Sequence, residues 1–172
     1  MRAPLRSTER EANQLAVTAF WFVAAFESAF DKEIDFLADN IASILTTNTY
    51  SPNQDTHDYH NDITNQLSTA NGYTAENGTG TGEMLGTKTH DNTLNVSTFD
   101  AANTVWTSSG SGFTGRRLVH CDVTPGVSAT DPLLWWIDFG QDETASGGGT
   151  FTIAYNASGI ASITPADATG FP

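Results

Sequence analysis

Apolar residues recur at helical spacing near the start of the chain. Leu15, Ala19, Phe22, Val23, Phe26 and Phe30 form one stripe, which Phe20 and Trp21 widen. Thr8 followed by Glu11 is a capping-box pattern, in which a hydroxyl meets an orphan N–H and a carboxylate reaches back, so a helix is expected to begin there. A face this broad needs cover, either from the chain's own sheet or from a neighbouring subunit, because an isolated helix of this length is marginal in water. Residues 1–31 therefore read as an N-terminal helical arm. The pattern then changes. A short apolar stretch (Ile34, Phe36, Leu37) precedes Ile41 to Thr46, whose β-branched residues predict the first core strand. Tyr50-Ser51-Pro52-Asn53-Gln54-Asp55 reads as a turn. Residues 55 to 86, with the run Asn77-Gly78-Thr79-Gly80-Thr81-Gly82, read as long surface loops.

From there, short strands alternate with turn signals: Gly86 to His90, Thr93 to Ser97, Asn103 to Thr107, Gly115 to Val123, Leu133 to Phe139, Thr150 to Tyr155 and Ile160 to Thr164. Asn156-Ala157-Ser158-Gly159 predicts a closing hairpin with Gly in the left-handed position. No helical crossover separates these strands, so the sheet is expected to be antiparallel. The expected fold is mainly β, an antiparallel β-sandwich or partly closed barrel over residues 32–172, with an N-terminal α-helix.

Composition reinforces the strand reading. The 172 residues include 25 threonines, which suit a pleated half-buried surface better than a helix. Charge narrows the partners: 20 acids against 7 bases give a net charge of −13. A surface this negative repels phosphate backbones, so no nucleic acid is expected, and protein partners are favoured. Cys121 is the only cysteine, so no internal disulfide can form. Met1 to Arg6 followed by the apolar run Leu15 to Phe26 has the outline of a secretory signal. Glu9 and Glu11 interrupt its basic part and the run is too short to span a bilayer, so an ordered helix and no membrane association are expected.

Catalytic motifs fail on context. Gly110-Ser111-Gly112-Phe113-Thr114-Gly115 matches the dinucleotide fingerprint in letters, but a strand is predicted where that fingerprint needs a helix, so it reads as a turn. Asp138-Phe139-Gly140 spells a kinase triplet in a chain too short for that fold. His120 and Cys121 are adjacent on a strand and point to opposite faces, a poor geometry for a base and its nucleophile. His57 and His60, beside Asp55 and Asp58, are the one cluster with metal-ligand residue types. Their Asx-rich setting after a proline turn favours a structural role, so neither a metal nor a cofactor is expected. Adjacent strand residues Trp135 and Trp136 should put one indole in the core and the other outside or on a partner.

Ile34-Asp35-Phe36-Leu37-Ala38-Asp39-Asn40-Ile41, Tyr50-Ser51-Pro52-Asn53-Gln54-Asp55-Thr56-His57-Asp58, Phe99-Asp100-Ala101-Ala102-Asn103-Thr104-Val105-Trp106 and Pro132-Leu133-Leu134-Trp135-Trp136-Ile137-Asp138-Phe139-Gly140, followed by Phe151-Thr152-Ile153-Ala154-Tyr155, resemble segments of a family of small tailed-phage virion proteins. The likeness spans roughly residues 20 to 165. It departs from the family over the first 19 residues, and at Trp135 and Trp136, where the family carries smaller side chains. The resemblance implies a non-enzymatic head-fibre or capsid-decoration (cement) protein on the outer surface of the phage head. Its partners would be the major capsid protein and its own copies, in a homotrimer or another cyclic homo-oligomer. Phe20, Trp21, Phe22, Phe26, Trp135 and Trp136, with the 55–62 loop, are the expected interface. A tail or neck component and a carbohydrate-binding module are the alternatives, the second because surface Trp and Asx-rich loops suit sugars.

Overall fold

A computed structural model describes residues 19–165. The strands are β1 (Ala19–Trp21), β2 (Ile41–Thr46), β3 (Glu83–Met84), β4 (Thr89–Thr93), β5 (Val96–Asp100), β6 (Thr104–Thr107), β7 (Phe113–Asp122), β8 (Leu133–Ala145), β9 (Thr150–Ile153) and β10 (Ala161–Ile163). One α-helix, α1 (Ala24–Phe30), and one 3₁₀ turn, His60–Asp62, complete the described elements. All strand pairs are antiparallel. They form a five-stranded sheet in the order β1-β8-β7-β2-β3, a three-stranded sheet β10-β5-β4 and a pair β6-β9. The fold is mainly β and sandwich-like. Among the described residues none of the sheets closes into a barrel.

The central strands are buried on both faces. Every residue of β2 is buried, and Leu118 to Val123 form a continuous buried run at the end of β7. One face carries Ile41, Leu45, Leu118, Trp135 and Ile137, packed with Trp106, Phe151 and Ile153 from the β6-β9 pair. The other carries Ala42, Ile44, Val119, Cys121 and Leu133, under Phe22 and Tyr50. This explains why the sequence of β2 shows no clean alternation: a strand covered on both sides has no solvent face to mark.

Residues 55–86, expected as surface loops, form a packed cover over the end of β2. Leu67, Tyr73 and Leu85 belong to the core. The backbone joins it too, because Leu67 N–H donates to Leu45 O at 2.9 Å and Leu45 N–H donates to the Tyr73 hydroxyl at 3.0 Å. The polar composition supplies turns between these few apolar anchors. One such turn is Asn71-Gly72, which has φ of +53° and +91° between the paired residues Ala70 and Tyr73. Two consecutive positive φ values match the hairpin turn that suits strand twist, and Gly is needed at its second position. A Cβ on Gly72 would also lie 2.0 Å from Thr107 O. Gly72→Ala is therefore expected to cost about 2–3 kcal/mol through strain and overlap, read as a lowered urea midpoint with an unchanged slope.

Three expectations are corrected. The helix predicted through Phe30 is interrupted: Ala19–Trp21 is a strand paired with β8, Phe20 opposite Trp136 and Trp21 opposite Trp135. Aromatic residues favour cross-strand pairing, and here two aromatic pairs hold the segment extended. Thr8, Glu11 and Leu15, where that helix was expected to begin, lie outside the described residues. Residues 19–31 are thus part of the β body instead of a separate arm, with β1 extending its sheet and Phe22 fully buried.

The two strands predicted at 86–90 and 93–97 are shifted. Their turn is Leu94-Asn95, with φ of +53° and +65°, while Asp91 and Asn92 pair within β4. Finally, Asn156–Gly159 is a turn but not a hairpin. Gly159 N–H donates to Asn156 O at 2.8 Å with φ +101°, yet β9 pairs with β6 and β10 with β5. Turn chemistry specifies a reversal of direction, whereas the partner of each strand is set by the sheet it reaches.

Candidate interaction surface

The aromatic residues singled out from the sequence divide between core and surface. Alternation along β1 sends Ala19 and Trp21 towards the core that holds Trp135, and Phe20 to the opposite face with Trp136. Trp135 is fully buried, with Trp21, His120 and Phe36 at centroid distances of 4.8, 5.5 and 5.6 Å. Trp21 is half-buried against Phe99 and Phe26, and its indole N–H donates to Ser162 O at 3.2 Å. Phe22 is fully buried beside His57. Phe22 and Trp135 are therefore core residues of this fold, because complete burial within the chain leaves nothing for a partner to cover. Trp21 and Phe26 are supporting residues.

Phe20 and Trp136 remain. Their rings stack at 4.7 Å with 24° between planes, and Phe20 is 42% exposed. Trp136 is half-buried, packed on the core cluster that contains Phe22. The adjoining chain is fixed by backbone and side-chain bonds: Phe22 N–H to Leu134 O, Val23 N–H to Gln54 O and Gln54 Nε2 to Trp21 O. Val23, which had been assigned to the apolar stripe alone, is 58% exposed at the entry to α1. The surface so formed is apolar, aromatic and held on a sheet edge instead of a loose loop.

The expected metal cluster takes another form. His57 Nδ1 lies 3.0 Å from the Tyr50 hydroxyl, and its ring stacks on Tyr50 and Phe22. His60 is buried in different surroundings, near Glu76 and Asp131. Burial holds it in the neutral form more strongly than the two carboxylates draw it towards the charged one. Asp62 accepts from the Asp58 and Tyr59 amides at 2.9 and 3.1 Å, so the 55–62 loop is capped internally. Among the described residues no group of three or more His, Cys, Asp or Glu is placed to hold a metal ion.

Other motifs resolve into structural roles. Gly110 to Gly112 make a turn into β7, and a Cβ on Gly112 would lie 2.1 Å from Ala145 O. Asp138 is clamped by the two adjacent arginines, Arg116 Nε at 2.7 Å and Arg117 Nε at 3.1 Å. That arrangement follows a break in register. Gly115 pairs with Glu143 but Arg117 pairs with Asp138, so β8 bulges outward around Gly140 at φ +79°. Burial pushes the Asp138 carboxyl up, but the Arg116 hydrogen bond, the Gly140 amide and the two guanidinium charges together hold it below the usual carboxylate range.

Sequence reasoning missed the buried polar groups. Glu76 Oε1 accepts from the amides of Asn77, Gly78, Thr79 and Gly80 at 2.8–2.9 Å, and Oε2 from Gly82 at 2.7 Å. The alternating-glycine run is thus a ring of N–H groups closed around one carboxylate. Its signal in the sequence is an acidic residue immediately before repeated glycines. On the other side of the central sheet, His120 Nε2 lies 3.0 Å from the Tyr155 hydroxyl, which meets Thr104 Oγ1 at 2.8 Å, and Ser43 Oγ lies 3.4 Å further on. These groups are buried or half-buried within the packed interior, which suits a bond between sheets better than a reaction centre.

No family model, curated protein or solved structure matches this chain.

Proposed function

We propose that this chain is a non-catalytic structural subunit of a tailed-phage particle, a decoration protein that binds the outer surface of the assembled head through its aromatic sheet edge. The observation that carries the reading is the stacked Phe20–Trp136 pair. Phe20 is 42% exposed and stacks on the half-buried Trp136, an open aromatic surface at an edge strand of the five-stranded sheet. Aromatic residues anchored on rigid elements are the usual centres of binding energy at protein interfaces. The sequence resemblance to small virion proteins supports the same reading, as does the net charge of −13, which favours a partner surface of opposite sign. The major capsid protein is the partner. Self-association into a homotrimer or another ring would repeat the patch to match a symmetric shell, each contact covering on the order of 1,000 Å² or more.

Phe20→Glu tests this directly, because it places a charge on the exposed ring position while leaving Trp135, Trp21 and Phe22 packed. Binding to heads stripped of decoration is expected to fall at least about tenfold, the equivalent of losing ~1.4 kcal/mol, with the melting temperature within a few degrees of wild type. Undiminished binding of the variant would remove Phe20 as an anchor. Wild-type chain recovered on separated tails instead of heads would favour the tail or neck reading.

A further inference from the structure

The β4–β5 hairpin ends on a residue that its turn does not favour. Leu94 and Asn95 connect the strands with φ of +53° and +65°, the paired positive values of a two-residue hairpin turn. Asn and Gly adopt that conformation readily, whereas a bulky side chain is crowded there by its own backbone. Leu94 is nonetheless 91% exposed, so burial within the described residues does not offset the crowding. The frame beneath it is rigid. The His90 ring stacks on Phe99 at 4.6 Å and its Nε2 lies 2.6 Å from Ser97 Oγ, β10 pairs with β5 as far as Ser97, and Thr93 Oγ1 donates to Asp91 Oδ2 at 2.6 Å beside the tip. A side chain held out on such a frame loses little freedom on binding. An exposed apolar residue kept where local preference opposes it marks a task other than folding.

Charge and position together say what covers the tip. Copies that each carry a net charge of −13 repel, so they meet most readily where charge is absent. From Asn92 to Phe99 the chain has no charged residue, whereas the exposed Phe30 is followed by Asp31 and the exposed Leu37 stands between Asp35 and Asp39. Phe99 packs on Trp21 and Trp135 at 5.4 and 6.0 Å, which puts the hairpin sheet on the core side of β1 and β8, while Phe20 and Trp136 stack on the other side. A subunit seated on a head by that pair turns the hairpin sheet away from the head and leaves the tip open to a neighbouring copy. We infer that the β4–β5 tip is a self-association surface, with Leu94 packing against the same tip of a second copy about a symmetry axis. A contact of this kind needs no separate pocket, since each apolar tip supplies the cover that the other lacks. It rests on the self-association part of the proposed function and is independent of head binding by Phe20.

The test uses the full chain without heads. Sedimentation equilibrium of wild type is expected to show reversible association, and Leu94→Asn to weaken it at least about tenfold. At a dilution where both are monomeric, the variant should melt about 2 °C above wild type, because Asn relaxes the turn. Thr93→Cys, on the exposed tip, should form disulfide-linked dimers on mild oxidation much faster than Ser158→Cys in the exposed 156–159 turn. Adding Leu94→Asn should remove that difference. The native Cys121 is fully buried and gives no background. A wild type that stays monomeric at every concentration would overturn self-association and the tip contact together, leaving the head-binding test of Phe20 untouched. Association that Leu94→Asn leaves unchanged, or equal cross-linking at the two cysteines, would overturn the tip contact alone and put the interface between copies elsewhere.

Discussion

Glu76→Ala is expected to cost about 3–5 kcal/mol of stability, measured as a fall in the urea midpoint. Five backbone amides converge on that carboxylate, from Asn77, Gly78, Thr79, Gly80 and Gly82, in a site where Glu76 itself is buried. Hydrogen bonds to a charged group contribute roughly 1.5–3 kcal/mol each, but they share one acceptor and do not sum. The larger penalty comes from donors left unpaired, because the loop cannot relax freely. Gly78 is packed so closely that a Cβ there would lie 2.8 Å from Asp131 Oδ2. Glu76→Gln separates charge from shape: it keeps an acceptor for four amides but sets an NH₂ against the Gly82 amide. It should cost less than alanine, roughly 2 kcal/mol.

The pH dependence gives a second measure of the same site. Burial pushes the Glu76 carboxyl up, but the Gly82, Thr79, Gly80 and Gly78 amides outweigh it and hold the group below its ordinary value of 4.5. A carboxylate lowered in the folded state contributes stability that is complete above pH 4.5 and lost as pH falls through the folded value. Glu76→Gln should therefore erase part of the wild-type loss below pH 4.5. Parallel curves for the two proteins in that range would show that the amide ring does not stabilise the charge.

His120→Phe is expected to remove a separate loss of stability at higher pH. His120 is completely buried, and burial alone pushes it down to about 3 from 6.5. With the folded value depressed, only the unfolded chain takes up this proton between those limits. Stability is then flat above pH 6.5 and declines as pH falls towards 3, by on the order of 4 kcal/mol in total. Phenylalanine keeps the contact with Trp135, whose ring lies 5.5 Å away, and leaves the Tyr155 hydroxyl its bond to Thr104. At pH 7.5 the variant should lose about 1 kcal/mol for the missing His120–Tyr155 bond. It should then hold its stability between pH 6.5 and 4.5 better than wild type, as read by urea unfolding at fixed pH. Equal slopes in that window would mean that the site admits water and His120 takes up its proton without cost.

These groups were not legible beforehand for a common reason. A histidine, a glutamate or an aspartate looks the same in sequence whether it lies in solvent or under a sheet, and His120 sits in an ordinary strand run, Leu118 to Val123. Glu76 is the exception in part, since the glycines after it could have been read as amides available to an anion. The interface assignment shows the same limit. Trp135 and Trp136 were separable into core and surface by alternation, because strand geometry fixes opposite faces. Phe20, Trp21 and Phe22 were not separable, because the same apolar run fits a helix stripe or an alternating edge strand. Only the presence of β8 alongside decided between them.

By itself the sequence determined the mainly β class, the antiparallel character and several turns, since these depend on local preferences: β-branched and aromatic runs, positive-φ residues, and the absence of helical crossovers. It also determined the charge of the surface. The tertiary structure alone decided which strands pair, so that Asn156–Gly159 links two sheets, and which polar groups are buried. It also decided that, of the aromatic edge residues, Phe20 is exposed and stacks on the half-buried Trp136. Those outcomes depend on contacts between residues far apart in the chain, and no local pattern encodes the environment that such contacts create.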